Sequence, residues 1–421
     1  MNTSSAQASR RNGYLFTIAA SLLLLYLNYE YISRQIRLGG LGDFPAHLYT
    51  LLPLFRTGEW WKGWMSAPHC LWHLTTLFFY QVFRLPLEAA ACYATCVYVL
   101  LHYLTLIWCI QKITAYAGEE ESLIRSNVIA FGFTFVQALY FYWLDAGSRY
   151  LGSFSMNPMH NPTQMSVRIF GILCFCLVID LLGSSSGETY RPVFFHVALH
   201  RRRYHILLAV LLFLSVVMKP TFAEMFIPAV AFCMLGTLLR KLIQKKDDCV
   251  TYFKHCLTML LCSVPALLYM LVQYLVFFFF GGSYGDEGGL IFTKWLEVWK
   301  LFTDNVYLSV LLGMAFPIYM IVIDPRFFCK SIMGRISLLS YGIGFLEAAL
   351  LGEAGDRLSH ANFIWPLMSG MLILWFTALM RLLMLERAKS ENSRRQTVLV
   401  NIGWVFFALH VLCGFLFLAQ R

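Results

Sequence analysis

The sequence carries little charge for its length. Only 13% of its 421 residues are Asp, Glu, Lys or Arg, whereas a soluble domain carries about 25%. Hydrophobic residues make up 59% of the chain, and its apolar runs can cross a bilayer core that needs roughly 20 helical residues. This composition excludes a soluble globular protein. No polar stretch is long enough for a soluble domain, so we expect a single transmembrane domain over residues 1–421.

Cysteine patterns typical of disulfides or metal sites are also lacking. Most of the 12 cysteines lie inside apolar runs, and only Cys70 is predicted to face the outside, so the sequence encodes no disulfide framework. The pairs Cys92/Cys96 and Cys174/Cys176 have no second pair of ligands, which argues against a zinc site. We predict no cofactor; a divalent metal stays open, but no residue indicates one.

About eleven apolar runs are predicted to form transmembrane helices, which makes the fold an all-α polytopic membrane protein. The first run, Tyr14–Leu27, follows Arg10-Arg11 but has no small-residue cleavage site after it, so we interpret it as a retained anchor helix. The later predicted spans cover about residues 87–110, 127–144, 167–182, 204–218, a sixth ending near 240, 253–280, 306–323, 336–351, a tenth ending near 385, and 398–418.

The segment between the first two spans, residues 33–85, is too polar to cross a membrane and too apolar to be a linker. Its tryptophan cluster at residues 60–64 favours the half-hydrated headgroup region of a bilayer. We predict that this first extracytoplasmic loop contains interfacial helices. His69 and His73 stand one helical turn apart in it with no third ligand nearby, so we interpret both as hydrogen-bonded interface histidines.

The distribution of basic residues fixes the predicted orientation. With the N-terminus in the cytoplasm, the basic clusters all fall on the cytoplasmic side, as the positive-inside rule requires. These clusters lie at Arg10, Arg201, Arg240, Arg326 and Arg394. Topology and anionic lipid therefore explain the net charge of +10, and nucleic acid is not an expected partner. We predict a multi-pass protein of the plasma membrane, with its C-terminus outside.

The outer side then receives the polar stretches that are hardest to explain as simple loops. They are residues 41–47 with Asp43, residues 157–163 with His160 between two Asn-Pro dipeptides, the turn Lys219-Pro220-Thr221, the loop with Asp286 and Glu287, and residues 353–362. Polar and charged residues at the ends of apolar helices mark functional sites by default. The sequence therefore predicts a catalytic or binding cavity at the outer membrane–water boundary.

Such a cavity has the residue types needed for chemistry on a lipid-anchored substrate. Lys219 and Arg357 provide cations for a phosphate or pyrophosphate, although each has an alternative structural role as the partner of a neighbouring carboxylate such as Glu224 or Glu353. Asp43 provides a carboxylate that can take a proton from an attacking hydroxyl, although it has a simpler interpretation as the N-cap of the short helix that follows it. We predict Asp43 and His160 as catalytic residues. The predicted substrate-binding residues are His47, Asn157, Asn161, Lys219, Glu353, Asp356, Arg357 and His360.

Two short stretches resemble the GT-C superfamily of polytopic glycosyltransferases, which use polyprenyl-phosphate-linked sugars. Gly42-Asp43-Phe44-Pro45-Ala46-His47 is similar to the acidic motif of that superfamily's first outward loop, and Lys219-Pro220-Thr221 to the Lys-Pro turn of some bacterial branches. The resemblance implies an inverting enzyme in which Asp43 is the base. It also implies an undecaprenyl- or dolichyl-linked sugar donor and a glycan, lipid or protein acceptor. The chain has neither an Asp-x-Asp pair at Asp43 nor a sizeable C-terminal soluble domain.

Two other classes of protein fit the same features. A transporter or flippase of lipid-linked glycans also carries polar residues in the membrane, usually at mid-depth in broken helices and often with internal repeats. This sequence shows no internal repeat. The other class is an integral-membrane acyltransferase or an O-antigen-type polymerase. An acyltransferase would use a histidine as its base, and His160 is the candidate.

Overall fold

The computed structural model describes residues 3–39, 42–119, 121–141, 154–184, 191–278, 289–388 and 394–419. It is 81% helical, and the strands in the described ranges are one antiparallel pair, Leu290–Phe292 with Leu351–Glu353. The protein is therefore an all-α polytopic membrane protein, as its composition predicts. Asp145, Asp286 and Glu287 lie outside the described residues.

The described chain is a succession of helices joined by short connections. They are α1 (Thr3–Leu38), α2 (Leu52–Arg56), α3 (Trp60–Ser66), α4 (Leu71–Val82), α5 (Leu87–Tyr116), α6 (Leu123–Phe135), α7 (Pro162–Gly183), α8 (Val197–Met218), α9 (Thr221–Ile243), α10 (Cys249–Phe278), α11 (Glu297–Lys300), α12 (Val306–Ile323), α13 (Pro325–Lys330), α14 (Ile332–Leu350), α15 (Ile364–Arg387) and α16 (Arg394–Ala419). A wide-turn π-helix, Ala46–Leu51, precedes α2, and a 3₁₀-helix, Gly355–His360, precedes α15.

Within the described ranges, 8 helices are long and apolar enough to cross a membrane: α1, α5, α7, α9, α10, α12, α15 and α16. The helix α6 is apolar but shorter. The helices α8 and α14 have 22 and 19 residues and pack among the others. The total of eleven spans stays a prediction.

The first loop contains short helices in place of a membrane crossing. The helices α2, α3 and α4 have 5, 7 and 12 residues, which is too short to cross a bilayer core. In α4, Trp72 and His73 are buried while Phe78 is exposed, so the helix has one face against the protein and one face away from it. The predicted short helices of this loop are present, and their place at the membrane interface stays a prediction.

The first helix is longer than predicted. It runs on to Leu38, into the segment predicted as the first extracytoplasmic loop. Asn28 does not interrupt the helix because its side-chain amide donates to Leu24 O (2.9 Å) in the preceding turn. Ile32 is fully buried beyond this point, so packing against the bundle continues along the extension.

The third predicted span is too long. The helix α6 ends at Phe135 rather than near residue 144, and residues 136–141 follow without regular secondary structure. The helix can end there because Asn157 donates its side-chain amide to Phe133 O (3.0 Å). Phe133 O otherwise accepts only a long bond from Val136 N (3.4 Å) at the helix end, so the amide of Asn157 completes the cap.

Close contact between α14 and α15 forms the centre of the bundle. A Cβ at Gly344 of α14 would lie 2.8 Å from the backbone of Leu367 in α15, so only glycine allows this approach. Pro317 of α12 cannot donate to Gly313 O, because proline has no N–H. The indole Nε1 of Trp375 in α15 donates to that oxygen instead (3.1 Å). These contacts hold α15 among α12 and α14.

The two ends of the bundle differ in their polar contacts. At one end, ion pairs join the connections between helices: Arg387 with Glu121 (2.5 Å) and Arg125 with Glu386 (2.5 Å). The opposite end, which we call the Asp43 end, brings together the first loop, the start of α7, the turn between α8 and α9, and the start of α15. The sequence-predicted polar stretches of these four elements therefore lie at one end.

Candidate functional site

The Asp43 end is organised by a contact between the first loop and the turns that precede α7. The backbone N–H of Asp43 donates to His160 O (2.9 Å), and Asp43 O accepts from His47 N (3.0 Å) in the first turn of the following helix. A Cβ at Gly42 would lie 3.1 Å from His160 O and 2.9 Å from Gln35 Oε1. Glycine at this position therefore lets the two loops come together.

The side chain of Asn161 fixes the carboxylate of Asp43. Asn161 is the N-cap of α7, and its Oδ1 accepts from Gln164 N (2.8 Å). This bond orients the amide so that Nδ2 donates to Asp43 Oδ2 (2.5 Å). In the described chain the Asp43 carboxylate bonds to Asn161 rather than to the N–H groups of its own helix. A half-buried carboxylate is thus held in place across two loops.

Lys219 lies in the turn between α8 and α9, and its side chain is only 8% exposed. Its Nζ lies 4.2 Å from the centre of the Trp365 ring, which also packs against the ring of His160 (centroids 5.2 Å apart). Among the described residues, Lys219 forms no hydrogen bond or ion pair through Nζ. Burial lowers the pKa of Lys219 to about 8, although the charges of Asp43 and Glu224 oppose this shift.

Lys241, at the opposite end of α9, shows how an equally buried lysine is normally stabilised. It is 7% exposed, and its ammonium lies 5.3 Å from the centre of the Tyr252 ring. Unlike Lys219, it also forms an ion pair with Asp248. Burying an ammonium without an opposite charge is costly, so Lys219 is the unusual member of this pair.

Gln164 connects the Lys219 turn to the helix that carries Trp365. Its Oε1 accepts from Thr221 Oγ1 (2.9 Å) at the start of α9, and its Nε2 donates to Ser369 Oγ (2.8 Å) in α15. The side chain is almost fully buried. Because all its polar atoms are used in this way, Gln164 holds the three helices in register around Lys219.

Three histidines of the first loop lie beside this cluster. His47 Nδ1 and His73 Nε2 are 3.1 Å apart, and the rings of His47 and His69 have centroids 6.3 Å apart. Burial lowers the pKa of His69 and of His73 to about 3, and the positive charge of Lys219 adds to this effect at His69. Burial also lowers the pKa of His47 well below its ordinary value. All three imidazoles are therefore neutral at neutral pH.

Two carboxyl groups face a shared cavity next to the Lys219 turn. The cavity has a volume of about 310 Å³ and lies between α9, α10 and α14. Glu224 of α9 and Glu347 of α14 line it together with apolar residues such as Met270 and Phe363. Neither carboxylate has a hydrogen-bond or ion-pair partner among the described residues. The cavity thus places two unpaired carboxyl groups within an otherwise apolar wall.

The remaining predicted site residues form other contacts. Asn157 is buried, and its Oδ1 accepts from the guanidinium of Arg168, so this side chain connects the loop to α7. Glu353 is also buried, and its two carboxylate oxygens accept from Arg357 (2.9 Å) and Asn362 (2.8 Å). Arg357 is therefore already paired with a carboxylate.

Asp356 and His360 lie on the 3₁₀-helix that precedes α15, and both are exposed. The structure thus brings together Asp43, His47, His160, Asn161 and Lys219. It shows no contact between Asp43, His47, Asn161 or Lys219 and either Asp356 or His360 in the described ranges. The same ranges contain no group of three or more His, Cys, Asp or Glu side chains arranged to hold a metal ion.

Two residues of the cluster received no role from the sequence. The ring of Trp365 contacts both Lys219 and His160. The sequence feature that could have identified it is a tryptophan in the first turn of a span that follows a polar loop. Gln164 stands three residues after the N-cap Asn161, a position at which glutamine usually caps its own helix. A capping role within α7 does not predict that the side chain of Gln164 bonds to α9 and α15 instead.

No known protein family, curated protein or solved structure matches the chain.

Proposed function

We propose that the protein is a membrane glycosyltransferase that moves a sugar from a polyprenyl-phosphate donor to a hydroxyl acceptor, with Asp43 as base. The observation that carries this proposal is the buried ammonium of Lys219, which lacks a paired anion among the described residues and lies within the electrostatic influence of Asp43. A phosphate delivered on a lipid would supply the missing anion at the end of apolar helices.

The proposed reaction assigns a separate task to each group. The acceptor oxygen attacks the anomeric carbon, and the bond from that carbon to the phosphate oxygen breaks with inversion. Asp43 takes the hydroxyl proton and later releases it to water. Lys219 stabilises the charge that develops on the departing polyprenyl phosphate. Asn161 binds Asp43 Oδ2, which leaves Oδ1 to receive the proton.

The resemblance of residues 42–47 and of the Lys-Pro turn to GT-C enzymes supports the same assignment. These stretches are far apart in the sequence, yet their charged residues act on one another through space. In the proposed orientation, the N-terminus is cytoplasmic and the Asp43 end faces outward, so the donor would be used on the extracytoplasmic face of the plasma membrane.

The direct test is to incubate purified protein with a panel of undecaprenyl- and dolichyl-phosphate-linked sugars. We expect at least one donor to release polyprenyl phosphate, by transfer to an added acceptor or by slow transfer to water. Lys219→Met should abolish the release, whereas Lys241→Met at the opposite end should retain it in whatever fraction of protein folds. The proposal would be contradicted if the protein bound none of the donors and released polyprenyl phosphate from none of them.

A flippase or transporter is the second candidate, because Glu224 and Glu347 face a common cavity between helices. Carboxyl groups that face cavities between transmembrane helices occur along substrate and proton pathways. A flippase moves fluorescent lipid-linked glycans across the bilayer of proteoliposomes without consuming them. Transbilayer movement without release of polyprenyl phosphate would favour this function over glycosyl transfer.

A further inference from the structure

His73 is buried in a way that restricts where its proton can be. The residue is 0% exposed, and its ring stacks on that of Phe55 (centroids 5.5 Å apart). Its Nε2 lies 3.1 Å from His47 Nδ1, whereas its Nδ1 has no hydrogen-bond partner among the described residues. One nitrogen is thus in a hydrogen bond and the other faces apolar surroundings.

Only one proton can lie between two neutral imidazoles, and the two possible arrangements differ in what they leave buried. If His47 Nδ1–H donates to His73, the proton of His73 must be on Nδ1, where it would be a buried N–H without an acceptor. Such orphaned donors are rare because their desolvation is not compensated. If His73 Nε2–H donates to His47, the unpartnered atom of His73 is a bare nitrogen instead. The second arrangement avoids the orphaned N–H.

The geometry points to His73 as a positioning residue: its Nε2–H bond to His47 Nδ1 keeps the proton of His47 on Nε2, where it is available to an anionic oxygen bound beside Lys219. His47 Nε2 has no partner among the described residues, and Lys219 lies close enough to His47 to act on its charge. His47 also follows Asp43 by one helical turn. The fixed tautomer thus adds a hydrogen-bond donor to the site without adding a second buried charge.

The identity of the anion as a lipid phosphate rests on the proposed function, but the position of the proton does not. The first experiment therefore reads the tautomer directly, by NMR of full-length protein with ¹⁵N-labelled histidine side chains in detergent micelles. We expect the proton of His47 on Nε2 in the wild type and in His73→Gln, because the glutamine amide can replace Nε2–H as donor. In His73→Leu the proton should move to Nδ1 or be divided between the two nitrogens. A proton on His47 Nδ1 in the wild type would overturn the inference, as would an unchanged tautomer in folded His73→Leu.

The second experiment measures binding of undecaprenyl phosphate to the same proteins. A hydrogen bond to a charged group implies that His73→Leu weakens binding about 10- to 100-fold, whereas His73→Gln should stay within about threefold of the wild type. Thr76→Val, one turn further along α4, controls for disturbance of the helix. In His47→Gln the glutamine amide supplies an N–H whatever residue stands at position 73. Adding His73→Leu to this variant should therefore not weaken the binding of undecaprenyl phosphate further. An equal loss in both backgrounds would mean that His73 acts through the fold and not through His47.

The two experiments separate the two hypotheses. If the wild type does not bind undecaprenyl phosphate, the proposed function fails while the tautomer measurement still decides the role of His73. If the tautomer is as expected but His73→Leu binds normally, the fixed proton of His47 does not serve the anion, and that part of the inference is wrong.

Discussion

Lys219 and Trp365 form a buried cation–π pair in which Nζ lies 4.2 Å from the ring centre. The aromatic face attracts the ammonium but supplies no negative charge. At the other end of α9, Lys241 combines a similar aromatic contact with an ion pair to Asp248. Lys219 therefore has no ion-pair partner among the described residues, although Asp43 and Glu224 lie close enough to act on its charge.

Removing the charge of Lys219 should stabilise the ligand-free protein. Its pKa is lowered from 10.5 to about 8, so the charged form costs about 3 kcal/mol in the folded state below pH 8. That cost disappears as the pH rises from 8 to 10.5, because the unfolded chain then also loses its proton. We expect Lys219→Met to raise the unfolding midpoint at neutral pH, with the difference from the wild type shrinking towards pH 10.5. Thermal unfolding, followed by intrinsic fluorescence at several pH values, measures this difference in unfolding midpoint.

Lys241→Met is the matched control, since it removes an equally buried lysine that has a carboxylate partner. It should lower the unfolding midpoint, because Asp248 loses its ion pair. If Lys219→Met is also destabilising at neutral pH, Lys219 has a structural anion partner and the central argument for a phosphate site fails.

Binding of a lipid phosphate should weaken above pH 8. The anion binds the protonated form of Lys219, whose pKa in the free protein is about 8, so raising the pH removes the binding-competent form. The phosphate group itself loses its second proton near pH 6 and does not change further. We expect the dissociation constant for undecaprenyl phosphate to rise by up to about tenfold for each pH unit above 8.

The comparison of wild type with Lys219→Met isolates this effect. The variant should bind weakly and with little dependence on pH over the same range, as measured by isothermal titration calorimetry in detergent. A wild-type dissociation constant that is flat between about pH 7 and about pH 9.5 would exclude Lys219 as the titrating phosphate ligand.

The sequence predicts that several polar loops meet at one end of the helices, because this placement follows from the order of helices and loops alone. Basic clusters assign every loop to one side of the membrane, and Asp43, His160, Asn161 and Lys219 then share a side before any contact is known. Their actual contacts depend on details beyond that rule. The amide of Asn161 points at Asp43 because its oxygen is used to cap α7, which a pattern of loops does not reveal.

Two features of the structure depend on side-chain contacts that the sequence pattern does not determine: the end of α6 and the pairing of Arg357. The early end of α6 depends on Asn157, which lies 24 residues from the carbonyl it caps, so hydropathy alone extends that helix too far. The pair Glu353 and Arg357 has the four-residue spacing of a helical ion pair. Glu353 lies at the end of the strand Leu351–Glu353 and Arg357 in the 3₁₀-helix Gly355–His360, so the pair forms outside an α-helix. The sequence therefore left two roles open for Arg357, a phosphate ligand or a partner of Glu353, and the structure shows the pairing with Glu353.

Arg357→Ala should affect stability more than donor binding. The guanidinium is paired with Glu353, which is 7% exposed, so the substitution leaves a buried carboxylate with one partner fewer. Because Arg357 itself is partly exposed, we expect a loss of about 1–2 kcal/mol rather than the larger values of fully buried pairs. Unfolding in denaturant measures this loss.

The dissociation constant for undecaprenyl phosphate should stay within about threefold of the wild type in Arg357→Ala, whereas Lys219→Met loses most of its binding. The double variant Glu353→Gln/Arg357→Ala removes both charges and should recover part of the lost stability. A large loss of binding by well-folded Arg357→Ala would return Arg357 to the phosphate site.

Asp43→Asn should give a folded, donor-binding and inactive protein. Asparagine has the size of aspartate, and its Oδ1 can still accept from the amide of Asn161, so the contact between the two loops is retained. It cannot take up the proton of an attacking hydroxyl, and such assistance is worth roughly 10²- to 10⁴-fold in rate. Turnover of the polyprenyl-phosphate sugar should fall by at least that lower bound, while the dissociation constant for undecaprenyl phosphate changes little.

Asp304→Asn provides the control for this substitution, because Asp304 is an exposed carboxylate just before α12 at the same end of the bundle. It should retain nearly full turnover. The decisive quantity is the turnover number of Asp43→Asn, measured alongside its unfolding midpoint. If the folded variant keeps more than about a tenth of wild-type turnover, the loss is smaller than general-base assistance explains. Asp43 would then serve only to join the first loop to Asn161, and the base would have to be a different carboxylate, with Glu224 beside Lys219 the first to test.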